Sequence, residues 1–173
     1  MERIICAFEV KASNSDDGYI TGYGSIFGNI DAAGDIVAKG AFKKSIVDVD
    51  SGAVAWPAML LQHGGVTATD KTPIGIWTSM EEDDRGLRLT GKLAIKTKRG
   101  AEAYELLKMQ PRPALNGLSI GFRCTDYELH GKDNPARRTI QAVHLVEVSL
   151  VTFPANRLAT ITGVKAQLET GPE

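Results

Sequence analysis

The chain has 173 residues, of which 43% are hydrophobic and 24% are charged, and its formal net charge is −1. This length and composition predict one globular domain, and a near-neutral surface argues against a general nucleic-acid or membrane partner. No signal peptide or membrane-spanning run is predicted. Cys6 and Cys124 show no metal-ligand spacing, and Asp31 and Asp35 are interpreted as turn residues rather than cation ligands. We therefore expect neither a metal nor another cofactor.

Alternating apolar residues, separated by turn clusters, predict many strands and two helices in this chain. Apolar residues at helical spacing indicate the first helix, and Thr97 is suited to cap the second, which Pro111 ends. Without regular alternation of strands and helices, we expect an all-β barrel with flanking helices. The strands are predicted at residues 4–10, 19–27, 55–63, 74–80, 86–95, 116–129, 138–151 and 159–164, and the helices near 42–49 and 98–109.

The predicted strand at residues 116–122 carries the most informative pattern in the chain. Its apolar residues share one face, which leaves Ser119 alone on the other face beside Gly121. A small hydroxyl without a neighbouring side chain suits a nucleophile that a substrate backbone approaches closely. The same pattern also fits a serine and a glycine that face another sheet or the solvent.

A nucleophilic serine needs a base and a group that orients that base. The chain offers His63 at the end of an apolar strand, His130 in a polar turn and His144 within a long strand. Glu147 is the candidate orienting group, because it is a carboxylate in an otherwise apolar strand. The other interpretation of Glu147 is an outward-facing residue of a half-buried strand.

Residues 117–121 also match G-x-S-x-G, the nucleophile elbow of α/β-hydrolases. That motif needs a strand, a sharp turn at the serine and then a helix, whereas the alternation here continues as a strand beyond Ser119. We interpret the match as accidental, and an esterase-like hydrolase is the weaker alternative that it suggests.

Several motifs occur in one order between residues 22 and 156, and together they resemble the prohead protease family of tailed bacteriophages. That family is held to resemble the herpesvirus capsid-maturation protease, assemblin, which is a serine protease on a closed antiparallel β-barrel surrounded by helices. The motifs are Gly22-Tyr23-Gly24-Ser25-Ile26-Phe27, Gly34-Asp35-Ile36-Val37, Gly40-Ala41-Phe42, Leu61-Gln62-His63, Pro73-Ile74-Gly75, Asn116-Gly117-Leu118-Ser119-Ile120-Gly121-Phe122 and Glu147-Val148-Ser149-Leu150-Val151-Thr152-Phe153-Pro154-Ala155-Asn156.

The resemblance implies Ser119 as nucleophile, His63 as general base and Glu147 as the third member of a triad. The herpesvirus enzymes use a second histidine in that third place, which makes His144 the alternative. Backbone amides or Arg157 are the candidates for the oxyanion hole.

The resemblance also implies a biological role. Enzymes of this family are packaged inside the immature capsid in the host cytoplasm, and they cleave the scaffolding segment of the major capsid protein, or a separate scaffold, and themselves. The expected partners are thus the capsid protein, its scaffold and a second copy of this chain, as substrate or in a homodimer. We expect a protease domain at residues 1–164 and a flexible tail at 165–173. The alternative function is an inactive capsid- or scaffold-binding protein on the same fold.

Overall fold

The computed structural model describes residues 9–10, 18–67 and 69–165, and this part of the chain is mainly β with few helices. The predicted strand at residues 4–10 and the predicted tail at 165–173 lie mostly outside the described residues, whereas the predicted strand at 159–164 lies within them and is confirmed within two residues. The strands are β1 (Glu9–Val10), β2 (Tyr19–Ile26), β3 (Asp35–Val37), β4 (Ala58–Leu61), β5 (Gly75–Glu82), β6 (Gly86–Leu93), β7 (Gly117–Leu129), β8 (Arg138–Val151) and β9 (Ile161–Lys165), and the helices are α1 (Lys43–Asp50) and α2 (Lys98–Lys108).

Strand β8 is the centre of the sheet around the functional site. It pairs antiparallel with β7 along one edge. On its other edge, β3 lies parallel to its first residues and β4 lies parallel to residues 147–150. Strand β4 continues through β5, β6, β2 and β9 by antiparallel pairs. The ends of β4, β7 and β8 therefore meet in one region of the molecule.

The closed barrel implied by the resemblance is not confirmed. The pairing order begins at β1 and ends at β3, with β7 attached to β8, so the ladders form an open sheet. Two backbone hydrogen bonds join the chain around the start of β7 to the chain around the start of β9. The Leu118 amide donates to the Ala159 carbonyl at 3.0 Å, and the Ile161 amide donates to the Asn116 carbonyl at 2.8 Å. Around them lies an isolated bridge rather than a further ladder.

The hydrophobic core forms because alternate residues of the strands point to one side of the sheet. Helix α2 buries Ala103, Tyr104 and Leu107 on one face, and the Thr97 side chain accepts a hydrogen bond from Gly100, which confirms the predicted cap. The largest fully buried side chains include Ile20, Phe42, Met59, Leu87, Leu89, Leu107, Leu118, Val148 and Leu150.

The short strand β3 was not predicted from the sequence, where it lies in a turn-rich segment. Its first residue, Asp35, is almost fully buried and receives hydrogen bonds from Arg137 and Arg138 at 2.8–3.2 Å. Burial raises the pKa of Asp35, but the hydrogen bonds from the two guanidinium groups outweigh it and hold the pKa below its ordinary value. The structure supports the structural interpretation of Asp35. Within the described residues, no helix has the length and apolar character that crossing a bilayer requires.

Candidate active site

The β7–β8 ladder gathers four polar or small residues on one face. Ser119 lies opposite Ser149, and Gly121 lies opposite Glu147. Cross-strand partners share a face, and so do residues two apart on one strand, so all four share the face that points away from the hydrophobic core. Ser149 is not predicted as a site residue from the sequence, although its position two residues after Glu147 indicates the same face.

His63 reaches this face from the turn that follows β4. The predicted strand through His63 is wrong at its end, because β4 stops at Leu61. Gln62 and His63 adopt left-handed conformations with φ of 52° and 57°, and they begin a short 3-10 turn. The left-handed conformation turns the chain sharply at this point. His63 therefore belongs to a tight turn rather than to the end of a regular strand.

His63 and Glu147 form a hydrogen bond of 2.6 Å between Nδ1 and Oε1. The Glu147 side chain is 12% exposed and the His63 side chain is 45% exposed, so the carboxylate lies beneath the imidazole. The hydrogen bond with Glu147 raises the pKa of His63 above its ordinary value of 6.5, and partial burial opposes this only in part. The pair has the geometry in which a carboxylate orients an imidazole and stabilises its protonated form.

Ser119 is 5% exposed and adjoins a small cavity of about 40 Å³ that Ala155 and Asn156 also line. Its hydroxyl makes no hydrogen bond with any other residue that the structure describes. A free hydroxyl next to a cavity is available to a molecule that enters from outside.

The structure shows which group occupies the space that a side chain at Gly121 would fill. A Cβ atom at this position would lie 2.2 Å from Glu147 Oε1 and 2.8 Å from its Cδ. The absence of a side chain therefore makes room for the Glu147 carboxylate beside Gly121.

His144 lies opposite Arg123 in the ladder, and Glu147, not His144, makes the hydrogen bond to His63. The register shifts between Gly121 and the next pair, which leaves Val146 as an extra residue on β8. Strict alternation does not hold across this bulge, so counting residues cannot decide between His144 and Glu147.

Arg157 is exposed and does not line the cavity beside Ser119, whereas the two residues before it do. The side chain of Asn156 fixes this segment: its Nδ2 donates to the Ile26 carbonyl at 3.1 Å, and its Oδ1 accepts from the Leu158 amide at 3.1 Å. The backbone amides of Ala155 and Asn156 make no hydrogen bond with the described residues. Two unpaired donors thus belong to a fixed segment next to the nucleophile candidate.

His63 contacts Glu147 directly, and Ser119 lies on the same face of the ladder without a hydrogen bond to either residue. A serine, an imidazole and a carboxylate are the groups that a serine hydrolase uses. In the described part of the chain, no group of three or more histidine, cysteine or acidic residues is placed to hold a metal ion.

Residues 6–173 match the family described as the caudovirus prohead serine protease, and the chain belongs to that family. The prohead protease of Enterobacteria phage HK97 is 32% identical over 162 residues, which are 91% of this chain and 65% of that protein. The chain thus spans about two thirds of the length of this relative.

A solved structure of KSHV protease, in complex with a hexapeptide phosphonate inhibitor, has a TM-score of 0.43 and 14% identity to this chain. The alignment covers 83% of this chain and 63% of the other. At this score, the likeness does not by itself establish a common fold.

Proposed function

We propose that this protein is a serine endopeptidase that cleaves the scaffolding segment of the major capsid protein, or a separate scaffold, inside the prohead. The observation that carries the proposal is the 2.6 Å hydrogen bond between His63 and Glu147, on the same face as Ser119. Family membership supports the same activity. The substrate assignment rests on the prohead protease of the relative.

In the proposed reaction, Ser119 Oγ attacks the scissile carbonyl carbon while Nε2 of His63 takes the hydroxyl proton. Glu147 accepts a hydrogen bond from Nδ1–H of His63. This bond keeps Nε2 free to act as the base, and the carboxylate then stabilises the imidazolium. His63 gives the proton to the leaving amine, and an acyl-enzyme remains on Ser119. Water, activated by His63, then hydrolyses the ester and restores the serine.

The oxyanion of each tetrahedral intermediate needs preorganised donors. We assign this role to the backbone amides of Ala155 and Asn156, which adjoin the Ser119 cavity and are unpaired among the described residues. The exposed side chain of Arg157 is the less suitable donor of the two candidates, because it lies outside that cavity.

The edge of β7 offers a binding mode for an extended peptide. Strand β7 pairs with β8 on one side, while on the other side only its first residues reach the segment before β9. Around Ser119 the second edge therefore has no partner strand among the described residues. An extended substrate can add to such an edge through its backbone, which brings its carbonyl groups to the nucleophile.

The experiment incubates the purified protein with the capsid subunit of its phage, with and without a serine-directed fluorophosphonate. Wild-type protein should cleave the subunit, and Ser119→Ala and His63→Ala should each lose this activity by several orders of magnitude. Ser45→Ala is the matched control, because Ser45 is also a buried serine but lies in α1. If the wild-type protein binds the subunit but does not cleave it, the result would favour the inactive scaffold-binding alternative.

Self-cleavage is the finer part of the proposal, and it is tested in the same samples. We expect trimming near residues 165–173, because a polar tail is the easiest segment for a protease to reach. Mass spectrometry of an extended chain should find shortened C-termini only when Ser119 is intact. Identical termini in the wild type and in Ser119→Ala would contradict self-cleavage in that segment.

A further inference from the structure

The turn that carries His63 is held in a conformation that its residues disfavour. Among the described residues, Gln62 and His63 are the ones other than glycine with positive φ. Side chains with a Cβ rarely adopt this region, and such conformations persist where surrounding contacts enforce them. The contacts that enforce this turn come from β8 and the residue after it.

Gln62 is held by Thr152, the residue that follows β8. The side-chain amide of Gln62 donates from Nε2 to Thr152 Oγ1 at 2.8 Å. The backbone amide of Thr152 donates to Gln62 Oε1 at 3.3 Å. These two bonds attach the first left-handed residue to the end of β8, outside the catalytic pair.

His63 is held by Ser149, which is fully buried. The backbone amide of His63 donates to Ser149 Oγ at 3.2 Å. The Ser149 hydroxyl in turn donates to Glu147 Oε2 at 2.5 Å. Because the other oxygen of that carboxylate bonds Nδ1 of His63, the three residues close a ring of hydrogen bonds that begins and ends on His63.

The chemistry of the groups fixes the direction of every bond in this ring. A backbone amide only donates and an ionised carboxylate only accepts, while a hydroxyl can do both. The group between the amide and the carboxylate must therefore accept from one and donate to the other, as the Ser149 hydroxyl does. The carboxylate also obliges Nδ1 to carry the proton, which leaves Nε2 unprotonated on the neutral ring.

We propose that Ser149 is a positioning residue, which fixes the backbone of His63 and the carboxylate of Glu147 together so that the imidazole faces Ser119 in its base-competent form. This inference rests on the proposed function. Ser149 touches neither substrate nor reacting atoms in this role, and it acts through the two residues that it bonds.

The variant that tests the inference is Ser149→Ala, and the chain offers a close control in Ser45→Ala. Ser45 is also a buried serine, and its hydroxyl donates to the Val143 carbonyl at 2.7 Å and accepts from the Leu145 amide at 3.0 Å. Each substitution removes a buried hydroxyl that bridges two groups, so the two variants should lose similar stability. Only Ser149→Ala removes a bridge that includes His63.

We expect Ser149→Ala to lower kcat by about 10- to 100-fold with little change in KM, because a loosened imidazole misplaces the base without altering the peptide site. In this variant the Glu147 carboxylate loses the hydrogen bond from residue 149, so it should bond Nδ1 of His63 for a smaller fraction of the time. The pKa of His63 should then fall toward its ordinary value and move the acid limb of the rate profile to lower pH. The charged groups at this turn, Glu147 from β8 with Asp70 and Lys71 from the next turn, are unchanged in both variants.

A second readout needs no turnover. NMR of the inactive Ser119→Ala protein should show the His63 Nδ1 proton at low field and in slow exchange, and adding Ser149→Ala should broaden this resonance. If Ser149→Ala keeps the kcat, the acid limb and the resonance seen with Ser45→Ala, the inference is wrong. Activity that survives in both Ser119→Ala and His63→Ala would instead refute the proposed function, while the resonance would still decide the role of Ser149.

Hydrogen exchange in the wild-type protein decides the matter if Ser149→Ala does not fold. The His63 amide should exchange slowly although its side chain is nearly half exposed, because Ser149 accepts its proton. The reference is the amide of the exposed Phe153, which makes no hydrogen bond with a described residue. Equal exchange rates for the two amides would overturn the inference.

Discussion

Replacing Gly121 with alanine should separate the folding of this protein from its activity. The new Cβ would lie 2.2 Å from Glu147 Oε1, and Cβ atoms essentially never approach another heavy atom closer than 3.0 Å. The carboxylate oxygen must therefore move by at least the difference, 3.0 − 2.2 = 0.8 Å. That oxygen is the one that bonds Nδ1 of His63.

The stability cost of Gly121→Ala should be moderate, about 1 to 3 kcal/mol, because the atoms that must move belong to a side chain rather than to the backbone, although that side chain is hydrogen-bonded at both carboxylate oxygens. The activity cost should be large, since a displacement near 1 Å in a catalytic group can lower the rate by about 100-fold. The hydrogen bond that raises the pKa of His63 should weaken, so this pKa should fall toward its ordinary value.

The assay measures kcat on a capsid-derived peptide, the pKa of His63 by NMR titration and the free energy of unfolding by denaturant. Gly131→Ala is the matched control, because a Cβ there would meet no heavy atom within 4 Å. Wild-type kcat and an unchanged His63 pKa in folded Gly121→Ala would refute the assignment of Gly121 as the space for the carboxylate.

Three further predictions concern the charged groups. Glu147→Gln should lose most of its turnover while His144→Ala keeps most of it, because Glu147 makes the hydrogen bond to His63. The opposite ranking in kcat, with both variants folded, would give the role of third triad member to His144. The rate should fall as pH drops through a value above 6.5, since His63 must be neutral to act and its pKa is raised; a profile that stays flat down to about pH 5 would exclude it as the base. Asp35→Ala should lower the free energy of unfolding by about 1 to 3 kcal/mol at neutral pH, and by less in acid, where the wild-type carboxylate becomes protonated. An equal loss of stability at all pH values would contradict an ionised Asp35.

The long strands of this fold could be predicted from the sequence because their pattern is local. Strand β8 has the predicted bounds, and the hairpin of β5 and β6 and helix α2 are confirmed within a few residues. Strand β3 was missed because it has three residues and is defined by its pairing with β8, about a hundred positions away. Such a pairing leaves no periodic pattern in the sequence.

The members of the candidate site could be predicted, but their geometry could not. The contact between His63 and Glu147 is present, while their catalytic roles and that of Ser119 stay predictions. The left-handed turn at His63 depends on Ser149, a residue 86 positions away in the sequence. The bulge at Val146 likewise depends on the pairing of two strands, so neither feature can be read from local residue types.

The central claim is that Ser119 is a nucleophile activated by His63, and covalent labelling tests it most directly. A fluorophosphonate should form one adduct on Ser119, located by mass spectrometry of the digested protein, at a rate that falls at low pH. The account predicts that His63→Ala loses this labelling and that Ser45→Ala keeps it. An adduct on another serine, or labelling of Ser119 at the wild-type rate in His63→Ala, would contradict the account.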